Sequence, residues 1–86
     1  MEKILIEKLI KKATEMLNFS YVPYSNFHVG AALLTSEGEI YTGCNIENAP
    51  YGPSNCAERT AIFKAVSEGK KNFEAIAVVG GKNGKI

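Results

Sequence analysis

The stretch Phe27-His28-Val29-Gly30-Ala31-Ala32-Leu33-Leu34-Thr35-Ser36-Glu37-Gly38-Glu39-Ile40-Tyr41-Thr42-Gly43-Cys44 decides the fold. Phe27 to Leu34 is strongly apolar with Gly30 inside it, and a run of that length suits a strand buried on both faces. Thr35-Ser36-Glu37-Gly38 has turn chemistry, and Glu39 to Cys44 returns as a second strand, so the spacing predicts a hairpin.

Working outward, residues 3–17 read as an amphipathic helix. Leu5, Leu9, Ala13 and Met16 follow helical spacing, and Ile6, Ile10 and Leu17 widen the stripe. Asn18 to Asn26 is a loop. Asn45 to Pro53, with two prolines and a glycine, is a second loop, of a length that often marks function. A second helix is predicted from Ser54 or Asn55 to Glu68, with Gly69 as its C′ residue and Asn55 and Glu58 at capping-box spacing. Ala75 to Val79 is a short β-branched strand, and Gly80 to Ile86 reads as loop. The order is α-β-β-α-β, an α/β sandwich with a mixed sheet. Its last strand is reached by a right-handed helical crossover that should make a parallel pair.

The 86 residues fit a single domain, residues 1–86, too small to bury a large core. A net charge of +1 provides no basic field for nucleic acid or an anionic membrane, and the lysine pairs at 11–12 and 70–71 read as solvated faces. No apolar run approaches the ~20 residues of a membrane span, and Glu7 and Lys8 interrupt the only N-terminal candidate for a signal peptide. A cytoplasmic location is expected, where Cys44 and Cys56 would stay reduced.

The chemistry concentrates between Thr42 and Ala61. Cys56 lies at the start of a helix, where unpaired N–H groups and the helix dipole favour a thiolate, the form that binds zinc. Glu58 is in the same first turn and could place a carboxylate beside water for proton transfer. Arg59 adds a fixed positive charge. Each has a plainer reading: Cys56 as a small hydrophobe, Glu58 as a capping glutamate. Cys44 at a strand end suits the core. His28 has no Cys or carboxylate at metal spacing and suits packing or surface.

Three linked segments resolve this. Tyr24-Ser25-Asn26-Phe27-His28-Val29-Gly30-Ala31-Ala32-Leu33, then Gly43-Cys44-Asn45-Ile46-Glu47-Asn48-Ala49, then Asn55-Cys56-Ala57-Glu58-Arg59-Thr60-Ala61 together resemble the homotetrameric zinc-dependent cytidine deaminases, in the right order and spacing over nearly the whole chain. The resemblance implies the α-β-β-α-β portion of a three-layer α/β/α sandwich, truncated at its C-terminal end. It also implies zinc-dependent deamination of cytidine and deoxycytidine in pyrimidine salvage.

It implies roles as well. Cys56 is a zinc ligand, and Glu58 moves protons among water, the pyrimidine N3 and the leaving ammonia. The Ala57 N–H contacts the base and Phe27 lies against the ring. Asn45 and Glu47 hold the ribose hydroxyls, Arg59 hydrogen-bonds the ligand thiolate, and Tyr51 lies at a subunit interface of a homotetramer.

The family continues into a Pro-Cys-x-x-Cys segment bearing two more zinc ligands, and no cysteine follows Cys56 here. The 86 residues alone are therefore expected to be inert. The competing readings are a non-catalytic α/β fragment that pairs with a partner chain, and a blasticidin-type aminohydrolase. Asn45-Ile46-Glu47, suited to a plain ribose, stands against the second. A nucleic-acid editor fits poorly without a basic track or an aromatic platform.

Overall fold

Residues 2–47 and 54–82 are described by the computed structural model. Helix α1 (Lys3–Glu15) passes into a short 3₁₀ turn (Met16–Phe19). Strands β1 (Phe27–Thr35) and β2 (Ile40–Cys44) form the hairpin. A two-residue ladder pairs β3 (Ile46–Glu47) with β4 (Ser54–Asn55). Helix α2 (Ala57–Ser67) and strand β5 (Phe73–Lys82) complete the order.

β1 is the centre of a three-stranded sheet in the order β2-β1-β5, antiparallel to both neighbours. Its side chains alternate between two helices, as a period of two requires. Ala31 and Leu33 pack with Tyr41 against Ala57, Ala61 and Ala65 of α2. Ala32 and Leu34 pack against Leu9 and Ala13 of α1, with Ala75, Ala77 and Val79 of β5 beside them. This is the expected helix–sheet–helix layering, and it explains why the β1 sequence reads as apolar on both faces.

Two glycines set how closely the layers approach. A Cβ on Gly43 would come 2.5 Å from Ala57 O and 2.6 Å from Ala61 N, so α2 can lie on β2 only because that carbon is missing. Gly30 does the same for α1, whose Ala13 carbonyl occupies the space a Cβ would need.

The structure corrects four expectations. The parallel pair does not form. α2 starts where β2 ends, runs back to the hairpin end of the sheet, and β5 then returns. β2 and β5 thus share a direction, but β1 lies between them and takes both pairings. The physical reason is that β1, the most apolar strand, is buried best with a neighbour on each edge. The last strand is also longer than Ala75–Val79: Gly80, Gly81 and Lys82 stay in register opposite Val29, His28 and Phe27. Ile6 and Ile10 do not join the buried stripe and are exposed. The close seat at Gly30 makes α1 contact the sheet along the narrow line Leu5–Leu9–Ala13.

Finally, α2 begins at Ala57 with Cys56 as its N-cap, and no side-chain cap bond is made there. Ser54 and Asn55 belong to β4, so the Asn55–Glu58 capping box does not form; Glu58 is at the second helical position. The other end of α2 stops as expected. Gly69 takes φ +87°, Gly69 N–H donates to Val66 O at 2.9 Å and Lys70 N–H to Ala65 O at 2.9 Å, the paired bonds of a Schellman cap.

Candidate active site

The candidate residues meet at one end of the sheet, where β2 and β5 finish, β1 starts and α2 begins. Open α/β sheets commonly bind ligands beyond the carboxyl ends of their strands. The β3–β4 ladder closes the intervening loop with Ile46 opposite Asn55, so Cys56 follows directly on a residue paired beside Asn45. The Thr60 hydroxyl donates to Cys44 O at 3.0 Å, fastening the first turn of α2 over the end of β2. Cys56 is exposed, Glu58 half-buried, Arg59 exposed and Ala57 fully buried against Gly43. The Ala57 amide belongs to the first helical turn, where N–H groups have no intrahelical acceptor.

Asn45 continues the ladder with its side chain. Its Oδ1 accepts from Val29 N–H at 3.0 Å and its Nδ2 donates to Phe27 O at 2.8 Å. The backbone partners dictate which way the amide faces, and the second N–H of Nδ2 has no acceptor among the described residues. Glu47 is held from the opposite loop. Oε1 accepts from Tyr24 N–H at 3.0 Å and Ser25 N–H at 3.1 Å, and Oε2 from the Ser25 hydroxyl at 2.6 Å. The Ser25 hydroxyl above all, with the two amides, pulls the Glu47 carboxyl below its ordinary range against a smaller desolvation penalty. Phe27 is 47% exposed, and its ring lies over Gly80, where a Cβ would sit 3.1 Å from Phe27 Cε2.

Cys44 and His28 point elsewhere. Cys44 is buried on the sheet face opposite α2, with Sγ donating to Phe19 O at 3.3 Å, and burial pushes its thiol up. His28 Nδ1–H donates to Leu17 O at 2.9 Å, a tautomer set by the carbonyl acceptor. Tyr51 lies outside the described residues.

Three residues of this end were not singled out from the sequence. Ser25 and Thr60 read as loop and helix filler, because their partners, Glu47 and Cys44, are remote in the chain. Gly80 was placed in a loop. The only signal for Ser25 was its place in the Tyr24–Phe27 motif.

The model of the cytidine and deoxycytidylate deaminase zinc-binding region matches residues 3–81. The chain belongs to this family. It is 56% identical over 81 residues to a cytidine deaminase of Sporosarcina psychrophila, covering 94% of this chain and 60% of that protein. It is 59% identical over 73 residues to one of Halalkalibacterium halodurans, covering 85% of this chain and 55% of that protein. The crystal structure of cytidine deaminase from Burkholderia pseudomallei superimposes with a TM-score of 0.84 at 51% identity, over 93% of this chain and 62% of that one. This member of the deaminase family thus spans well under two thirds of the curated relatives it matches.

The family implies zinc. Among the described residues of this family member, no three His, Cys, Asp or Glu side chains lie close enough together to hold a metal ion. Cys56 is a suitable ligand in chemistry and exposure, but one thiolate falls short of the roughly three protein ligands of a catalytic zinc site. The described residues on their own do not make that site.

Proposed function

We propose that the complete protein carrying this segment hydrolyses cytidine and deoxycytidine to the uridine forms and ammonia, in pyrimidine salvage. The observation that carries this reading is the gathering of Phe27, Asn45, Cys56 and Glu58 at one sheet end by the β3–β4 ladder and the Gly43 contact. The relatives named cytidine deaminase support it.

Glu58 is the proton carrier. It takes a proton from the water that attacks C4 and delivers it to N3, then takes the proton of the hydroxyl so formed at C4 and gives it to the amine as the C4–N bond breaks and ammonia leaves. The Ala57 N–H and the Glu58 carboxyl orient the base, and Phe27 lies against its face. Asn45 and Glu47 take the ribose hydroxyls. Cys56 contributes one zinc ligand, with Arg59 beside the thiolate, and the remaining ligands come from outside these 86 residues. The reading includes a single domain, a cytoplasmic location and a homotetramer with Tyr51 at a subunit contact. Among the described residues, no helix is long and apolar enough to cross a membrane.

The test extends residues 1–86 with the part of the Sporosarcina psychrophila relative that lies beyond the match. This extended protein is expected to release ammonia from cytidine. Stoichiometric zinc with cytidine left unchanged would overturn the substrate assignment.

A further inference from the structure

Ser25 stands between two residues of the proposed nucleoside site. Its Oγ lies 2.6 Å from Glu47 Oε2 and 3.2 Å from the Phe27 amide nitrogen. The Phe27 N–H can only donate, so it takes a lone pair of Oγ, and the hydroxyl proton is committed to the carboxylate. The short distance is that of a charge-assisted bond. The Phe27 backbone is therefore pinned at both ends of its residue, by Ser25 at N–H and by Asn45 at C=O.

The acceptor arithmetic of Glu47 follows. A carboxylate offers about four lone-pair sites. Oε1 uses both of its sites on the amides of Tyr24 and Ser25, and Oε2 uses one on the Ser25 hydroxyl. One site remains. We infer that Ser25 is a positioning residue for the nucleoside site: its hydroxyl fixes the Glu47 carboxylate with one acceptor site left for a single sugar hydroxyl, and ties that carboxylate to the Phe27 backbone. Ser25 then links sugar acceptor to base contact directly, beside the ties from Asn45 and the two amides. A plain loop tie would account for the two amide bonds. The hydroxyl adds to them a direct link from the Glu47 carboxylate to the Phe27 amide.

This rests on the nucleoside reading above, so the experiment separates the two. In the extended protein, Ser25→Ala is measured with cytidine and with analogues that each lack one ribose hydroxyl. The expected result is a KM for cytidine raised about tenfold, the loss of one charge-assisted hydrogen bond, with kcat little changed. The analogue lacking the hydroxyl that Glu47 accepts should be nearly insensitive to the substitution. Ser25→Thr, which keeps the hydroxyl, should restore the cytidine KM to within about threefold.

An equal loss on every analogue, a fall in kcat alone, or no effect would overturn the inference. If the unsubstituted extended protein does not process cytidine, the functional reading falls, and the inference is judged on the Glu47 carboxyl carbon followed by NMR through a pH titration. Ser25→Ala should move its midpoint upward. An unmoved midpoint would show that the hydroxyl does not hold the carboxylate.

Discussion

At the scale of single residues, Glu58 and Glu47 are two carboxylates in different surroundings. Glu58 is half-buried at the second position of α2. Glu58→Gln in the extended protein is expected to retain zinc and lose about 10²–10⁴-fold in kcat, the usual share of a general acid–base group. Metal content by mass spectrometry beside an ammonia assay checks both halves. Loss of zinc together with activity would make Glu58 a ligand or a structural residue instead. In the proposed function Glu47 serves as an ionised acceptor. Its folded-state carboxyl is held below the ordinary range by Ser25 and two amides. The sign follows: stability from this contact is fully present above the unfolded carboxyl value and is lost as pH falls through the depressed folded value. Acidification should therefore raise amide hydrogen exchange at Tyr24 and Ser25 before it loosens β1. Simultaneous loss of protection in both regions would argue against a local anchor.

At the scale of elements, the site depends on how closely α2 seats on β2. Gly43→Ala forces a methyl into the backbone of Ala57 and Ala61, which cannot yield as a flexible side chain would. The expected cost is about 1–3 kcal/mol, the range for overpacking, read as a lower denaturant midpoint with an unchanged slope. The same shift should carry the first turn of α2, and with it Cys56 and Glu58, away from Asn45. Zinc affinity of the extended protein should fall with stability, and a stable variant with undiminished zinc binding would show that the seat does not position the ligand. At the far end of α2, Lys70 pairs with Glu39 at 2.9 Å and Glu37 at 3.1 Å, and the Tyr41 hydroxyl donates to Glu68 at 3.3 Å. Those contacts hold the helix end to the hairpin. Glu37 and Glu39 are exposed, so the contribution of the Lys70 ion pairs is screened by salt.

At the scale of the whole molecule, apolar surface is left on the α2 side. Phe63 and Val66 on the helix and Ile76 and Val78 on β5 are all more than 40% exposed, beside a strand edge with no partner among the described residues. A patch of this kind marks an interface, and an open strand edge invites pairing. The 86-residue chain is expected to self-associate at micromolar concentration by light scattering, and a clean monomer would contradict this. It is also expected to bind zinc weakly and leave cytidine unchanged, because no group of three candidate ligands forms among its described residues. Equilibrium dialysis and an ammonia assay on the chain alone check this. Tight stoichiometric zinc would bring Cys44 or His28 back into consideration, despite their placement on the other face of the sheet.

The sequence by itself determined the two helices, the hairpin, the last strand and the family. Apolar runs, turn residues and Gly69 mark local preferences that hold wherever the chain folds, and the linked motifs around Phe27, Asn45 and Cys56 carry family membership without coordinates. Tertiary structure alone decided which strands are neighbours. Pairing depends on which edge of β1 is vacant when the helix returns, and not on anything β5 encodes locally. It also decided that Asn55 extends a ladder rather than caps a helix, since Ile46 competes for the same backbone. Ser25, Gly43 and Gly80 became legible only there. Each acts through a partner 14 or more residues away in the chain, and the worth of a hydroxyl or a missing Cβ depends on what stands opposite it.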